Sequence, residues 1–233
     1  TDMERAFAET RADFCVIAVP PRFHEQVVDL ALRYGMDILS EKPIADTLEG
    51  SARIAEKVRR AGVKMAVTMS HRFDMDKTTL REELRSGRNG RLDYLACRYS
   101  CDLRRAGSWG FRHGMDNPLL LEGAVHHLDL LADMAGARAE TVFATTWNPP
   151  WSDFHGDCSA LITIEMTNGV KVFYEGAKAN ASALNSWGFD YFRAECEHGT
   201  LELDNRVLRL LRSRGNDRPS AETIPLAEQP AWM

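Results

Sequence analysis

No apolar run in this chain approaches the roughly 20 residues needed to cross a bilayer; stretches such as Phe14–Pro21 stop far short. Basic charge is not in excess either. Lys and Arg number 29 against 34 Asp and Glu, a formal net charge of −5, which excludes a general nucleic-acid binder. Cysteine is sparse and unpatterned: the five, at positions 15, 97, 101, 158 and 196, are odd in number and include no C-x-x-C. Reduced thiols in a cytoplasmic protein are therefore expected rather than a disulfide framework or a cysteine metal site. The segment Thr1–Glu9 carries Asp2, Glu4 and Glu9 and has no apolar centre, so it does not read as a signal peptide, and position 1 is not Met. Internal repeats and low-complexity tracts are absent. What remains is 233 residues, 44% hydrophobic and 27% charged, the balance of a chain that folds around a core as one large or two small domains.

The first third alternates short apolar runs with helical patterns. Phe14–Val19 reads as a fully buried strand ended by Pro20-Pro21, and the stripe Val27, Val28, Leu30, Ala31 and Leu32 reads as a helix closed by Gly35. Met36–Leu39 is a second strand, a helix capped by Asp46 or Thr47 runs to Ala61-Gly62, and Lys64–Thr68 is a third strand. Strand and helix in alternation with short connections imply a parallel sheet. A helix at 75–86 follows, and then the texture changes to alternating strands near 94–99, 141–146, 159–167, 170–175, 192–197, 200–203 and 207–211. Asn168-Gly169 between two such runs is a hairpin signal, Glu197–Thr200 is a second tight turn, and Leu119–Met134 is one strongly apolar helix. The expected architecture is a parallel α/β domain at 1–72, then a mostly antiparallel, open-sheet α+β domain at 73–233 with helices on one face.

Open parallel sheets bind ligands beyond the carboxyl ends of their strands. Those ends carry Val19–Pro21, Ser40–Pro43 and Thr68–Arg72, so topology alone gathers Lys42 and its polar neighbours on one edge. Lys42, held extended by the following proline, is placed to set an ammonium near a substrate oxygen. Glu122 and His126 are four apart in an apolar helix and share one face, with Gly123 and Ala124 leaving space beside them. A carboxylate orienting an imidazole is the equipment of a general acid–base, while a satisfied core histidine is the structural alternative. His127 points elsewhere on that helix and carries a weaker functional case. A metal reading would add His155 or Asp157 to Glu122 and His126, but the ligand count is short and no metal is assigned. His24 falls at a helix start, and Arg104, Arg105, Trp109 and Arg112 lie in an irregular stretch suited to line a pocket.

At these residues the chain resembles the Gfo/Idh/MocA family of NAD(P)-dependent oxidoreductases, the glucose–fructose oxidoreductase and inositol dehydrogenase group. Val16–His24 resembles its strand followed by Pro and His, and Ser40-Glu-Lys-Pro-Ile-Ala45 its E-K-P motif. Ser70-His-Arg-Phe73 resembles its N-R-R-F segment with the first two residues replaced. Glu122-x-x-x-His126 resembles D-x-x-x-H, and Cys196–Glu202 its late strand-turn-strand. The resemblance implies Lys42, His126 and Glu122 as catalytic residues, and Pro20, Pro21, His24, Glu41, Lys42 and Arg72 against the nicotinamide half of NAD or NADP. It further implies a sugar, inositol or similar polyol oxidised at a secondary alcohol, and a homodimer or tetramer formed through the antiparallel sheet.

Two departures stand out. Asp116-Asn117-Pro118 replaces glycines common before the catalytic helix, and no G-x-G-x-x-G occurs among the sixteen glycines. The resemblance implies that 1–72 is the later part of a parallel, Rossmann-type dinucleotide-binding domain, in an enzyme seen without its first ~65–75 residues, the size of a pair of βαβ units. The rival readings are a catalytically silent, dinucleotide-sensing regulator on the same fold and a metal-dependent lyase or hydrolase.

Overall fold

The computed structural model describes residues 2–10, 12–107 and 110–228, and the chain divides into two compact units, Thr1–Met69 and Ser70–Met233. Trp109, a pocket candidate from the sequence, lies outside the described residues. No helix among them is long and apolar enough to cross a membrane.

In the first unit, helix α1 (Met3–Glu9) is capped by Asp2, whose carboxylate accepts from Arg5 N–H. Three strands, β1 (Phe14–Ile17), β2 (Asp37–Ser40) and β3 (Met65–Val67), pair in parallel in that order. Helices α2 (His24–Arg33) and α3 (Leu48–Ala61) connect them, and Val27, Val28, Ala31 and Ile54 pack on Ile17 and Ile38 to make the core. Thr47 caps α3 by accepting from Gly50 N–H, and Gly62 closes it in the left-handed conformation that glycine adopts without strain. One expectation fails here. β1 is not buried on both faces: Phe14 and Val16 are 59% and 60% exposed. The helices pack on the face that carries Ile17.

The second unit is an eight-stranded sheet in the order β11-β10-β9-β8-β4-β7-β6-β5. Its strands are β4 (Leu92–Ser100), β5 (Ala139–Trp147), β6 (Ser159–Met166), β7 (Lys171–Ala177), β8 (Tyr191–Cys196), β9 (Gly199–Asp204), β10 (Val207–Arg212) and β11 (Ser220–Ile224). Every neighbouring pair is antiparallel except β4 with β7, which run parallel at the centre. The β6–β7 hairpin turns at Asn168-Gly169, and Gly169 takes a positive φ there. Helices α4 (Met75–Arg85) and α5 (Val125–Ala135) contact one another and enclose Leu80, Leu119, Leu130 and Leu131 with Leu95, Tyr174 and Leu203. Alternation sends the other side chains of β5, β6 and β7 outward, where Phe143, Leu161 and Phe173 stand exposed, Phe143 and Phe173 lining a shallow groove of about 520 Å³.

The apolar helix expected at 119–134 is not α-helical throughout. Leu120–Ala124 forms a π-turn, with Val125 N–H reaching back five residues to Leu120 O, and α5 follows directly. Glu122 therefore sits in the wider turn and His126 in the first turn of the α-helix.

Candidate active site

Within the first unit, the carboxyl ends of β1 and β2 are tied together. Glu41 N–H donates to Ile17 O at 2.8 Å, and His24 bridges the same two ends. Its imidazole is fully buried, with Nε2 2.8 Å from Val19 O and Nδ1 3.1 Å from Ile44 O. A neutral imidazole has one N–H, so it donates to one of these carbonyls at a time. With no exposed surface, His24 holds the turn that carries Pro20 and Pro21. Pro20 and Pro21 are half-buried at that turn, Glu41 is exposed, and Lys42 is half-buried and joined to Pro43 by a cis peptide bond.

The second unit holds the remaining candidates. Arg72 lies in a short 3-10 turn, Ser70–Phe73. Its guanidinium grips Asp129 of α5 with two hydrogen bonds, Nε to Oδ2 at 2.5 Å and Nη2 to Oδ1 at 2.7 Å, and lies 3.3 Å from Asp133. The pair clamps the 70–73 turn to α5. That clamp sets the neighbouring His71 beside α5.

Glu122 is buried and accepts from Arg112 Nε at 3.0 Å. An arginine from the irregular stretch thus answers the carboxylate, as a buried charge requires. His126 is also buried, and its ring centre lies 5.2 Å from that of His71 and 5.1 Å from that of Trp187. Trp187, nearly half exposed, tilts over His71 at 4.0 Å and covers the cluster. His127, the weaker functional candidate of the two, is fully buried at the centre. Its Nε2 donates to Asp190 Oδ1 at 3.0 Å, and Tyr174 OH donates to its Nδ1 at 3.3 Å.

Asp190 is the hub. Lys77 Nζ lies 3.1 Å from its Oδ2, and His71 Nδ1 is 3.8 Å from the same oxygen. Burial pushes the Asp190 carboxyl up, but the His127 hydrogen bond and the attraction of the His127, Lys77 and His71 groups around it outweigh it and hold it well below the usual carboxylate range. Burial likewise pulls the Lys77 ammonium down, and Asp190 and Asp76 more than offset this, leaving its pKa raised. Burial keeps the Tyr174 phenol protonated far above its ordinary range. The directions of the protons follow: phenol to imidazole, imidazole to carboxylate, ammonium beside carboxylate.

His71, His127 and Asp190 offer three ligand atoms within 4.8 Å of one another. A cation there would face the Lys77 ammonium and would break the His127–Asp190 hydrogen bond, so the donor set does not fit a metal. The set considered from sequence is not gathered either, since His155 is exposed beside Asp116 and Asp157 accepts from Thr146.

Sequence reasoning missed Asp190, Lys77, Tyr174 and Trp187. Lys77 follows Asp74 and Asp76 at the start of the helix expected at 75–86, and nothing in its spacing marks it as buried. The one available signal was Asp190, a lone carboxylate in the apolar run Trp187–Phe192.

Comparison with known proteins finds a family match in each unit. Residues 1–69 match the model of an oxidoreductase family with an NAD-binding Rossmann fold, and residues 78–202 match the GFO/IDH/MocA C-terminal domain. The uncharacterized protein y4oX of Sinorhizobium fredii is 52% identical over 211 residues, covering 90% of this chain and 59% of that protein. An inositol 2-dehydrogenase of Corynebacterium glutamicum is 33% identical over 75% of this chain and 51% of its own length. The chain thus spans just over half the length of these curated relatives. Among solved structures, an oxidoreductase from Agrobacterium radiobacter in complex with NAD+, L-tartaric acid and magnesium superposes with a TM-score of 0.83 at 17% identity. That match covers 99% of this chain and 66% of the other, and it shows a shared fold. With both domains matched in order, the chain belongs to the Gfo/Idh/MocA family of oxidoreductases.

Proposed function

We propose that this chain is the substrate-handling part of an NAD(P)-dependent oxidoreductase that moves a hydride between the nicotinamide and a secondary alcohol of a sugar, inositol or similar polyol. The observation that carries the proposal is the buried imidazole of His126, set at the π-to-α junction next to Glu122 and packed against His71 and Trp187. Such an imidazole takes the hydroxyl proton as the alcohol is oxidised and returns it in reduction. Glu122, fixed by Arg112, is an acceptor for substrate hydroxyls, which matches a polyol better than an apolar alcohol. Lys42 supplies an ammonium that steadies the oxyanion formed as the proton leaves. The E-K-P motif supports that role, as does the family of an inositol 2-dehydrogenase relative.

The nicotinamide, when bound, accepts or gives the hydride. The residues present fit one end of such a cofactor. The strand ends bring Pro20, Pro21, Glu41 and Lys42 to one edge of the parallel sheet, with His24 holding the turn beneath. They include no glycine turn of the G-x-G-x-x-G kind to receive the pyrophosphate, so that contact is assigned to no residue of this chain. The outward apolar face of β5–β7, with Phe143, Leu161 and Phe173, fits a homo-oligomer formed through the sheet.

The test is a screen with NAD and NADP against a panel of polyols, sugars and sugar acids, repeated with Lys42→Ala and His126→Ala. Turnover by the wild type and its loss in each variant is the expected result. Dinucleotide binding with no turnover of any alcohol would favour the silent-regulator reading instead.

A further inference from the structure

Asp190 joins four separate elements through side chains that solvent does not reach. It precedes β8 in a loop pinned at Asn185, whose amide donates to Phe189 O at 3.1 Å and Asp204 Oδ1 at 3.0 Å. The Asn185 carbonyl oxygen of the side chain accepts from Arg98 Nε at 2.6 Å, and Ser100 N–H donates to the backbone oxygen of Asn185. The carboxylate is thus delivered by a fixed loop. It receives His127 from α5, faces Lys77 from α4 and stands 3.8 Å from His71 of the 70–73 turn. Lys77 is fixed in turn by Asp76, whose Oδ1 accepts its backbone N–H at 2.9 Å and whose Oδ2 lies 3.2 Å from its Nζ.

A buried ion network of this kind is weak evidence for stability, because desolvation opposes the attraction and well-packed apolar groups serve equally well. What it supplies is direction. With Tyr174 OH on Nδ1 and Asp190 on Nε2, His127 is held in one tautomer and one ring orientation. His127 neighbours His126 in the same first turn of α5, and the two are linked again through the ring of His71, 5.7 Å and 5.2 Å away respectively. Moving His127 therefore rotates the turn that presents His126 and shifts the imidazole packed against it.

We propose that Asp190 is a positioning residue: by holding the Nε2 proton of His127 and the ammonium of Lys77, it fixes the direction in which His126 presents its imidazole. The effect on catalysis rests on the oxidoreductase reading above, whereas the effect on the His126 ring does not.

The experiment compares wild type, Asp190→Asn and Asp190→Ala in two measurements. The asparagine keeps an acceptor for His127 without the charge; the alanine removes both. Imidazole ¹H–¹⁵N correlation spectra read tautomer and environment of His126 and His127 in the absence of substrate, with circular dichroism confirming the fold. Steady-state kinetics with the alcohol found by the panel read kcat and KM separately across pH. In the variants the His127 Nε2–H resonance moves or is lost and the His126 ring resonances shift, more in alanine than in asparagine. In turnover, kcat falls about tenfold or more at unchanged KM, within the range a positioned acid–base contributes. The pH profile of kcat also changes, because the imidazole that accepts the proton no longer keeps its orientation. Unshifted His126 resonances in folded Asp190→Asn overturn the proposal. So does a variant with altered resonances but wild-type kcat and pH profile. If no alcohol is turned over by the wild type, the oxidoreductase reading fails, and the spectra alone decide the positioning role.

Discussion

His127 donates its Nε2 proton to Asp190 Oδ1 across 3.0 Å, with both side chains wholly shut off from solvent. This contact puts the second histidine of the pair, rather than the first, at the centre of the network. Its neighbour His126 is left to face Trp187 and His71.

Lys77→Met should be among the most destabilising single changes in the chain. The lysine is fully buried and is the cation facing Asp190 at 3.1 Å, so its removal strands a carboxylate away from water. Breaking such a pair from one side costs about 3–5 kcal/mol. Denaturant unfolding of wild type and variant measures it, and a change near zero would show that the carboxylate finds another partner.

The same network fixes a pH dependence. The Asp190 carboxyl is held below its unfolded range, so its contribution is fully present above about pH 4, the ordinary carboxylate value. It is lost as pH falls through the lower, folded-state value. The Lys77 ammonium has a raised pKa, so its contribution is complete below about pH 10 and declines as pH rises through the folded-state value. Unfolding free energy measured against pH should fall on the acid side, and less steeply in Asp190→Asn. Parallel acid limbs in the two proteins would contradict this.

Gly123→Ala tests the crowding of the π-turn. A Cβ there would lie 3.1 Å from Tyr99 Cε1 and 3.2 Å from Lys178 Nζ, so a ring or a buried ammonium must shift beside Glu122. Overpacking of this kind costs about 1–3 kcal/mol. Thermal unfolding reads the loss, and an unchanged midpoint would mean that Lys178 moves freely.

Phe143→Glu addresses the outward face of the sheet. Phe143 is 74% exposed on β5 and borders the groove with Val142 and Phe173. A carboxylate placed on an apolar contact face is desolvated without a partner, so the variant should sediment as a smaller species than wild type. A wild type that is monomeric at all concentrations would remove the proposed oligomer.

The fold was readable where local chemistry dictates it. Thr47 and Gly62 bracket α3, Asn168-Gly169 turns the β6–β7 hairpin, and apolar stripes mark α2 and α5. The π-turn at Leu120–Ala124 was not readable, because a shift of one residue in hydrogen-bond register leaves the side-chain pattern intact. The parallel pairing of β4 with β7 and the edge strand β11 were missed for a related reason, since long-range pairing has no local signature. Of the site, Glu122 and His126 stood out by spacing within an apolar helix. Lys77 and Asp190 did not, because they are 113 positions apart in the numbering and burial alone makes them partners. His24 and Arg72 were visible as residues, but their partners Ile44 O and Asp129 were not, since those come from distant segments.

The central claim is that His126 accepts the proton of an alcohol whose hydride passes to a nicotinamide. The most direct measurement follows formation of reduced nicotinamide by wild type and His126→Ala, with the alcohol of highest turnover from the panel. The account predicts a kcat lower by about 10²–10⁴ in the variant, with dinucleotide affinity retained. Equal kcat in the two proteins, with the substrate oxidised by both, would contradict it.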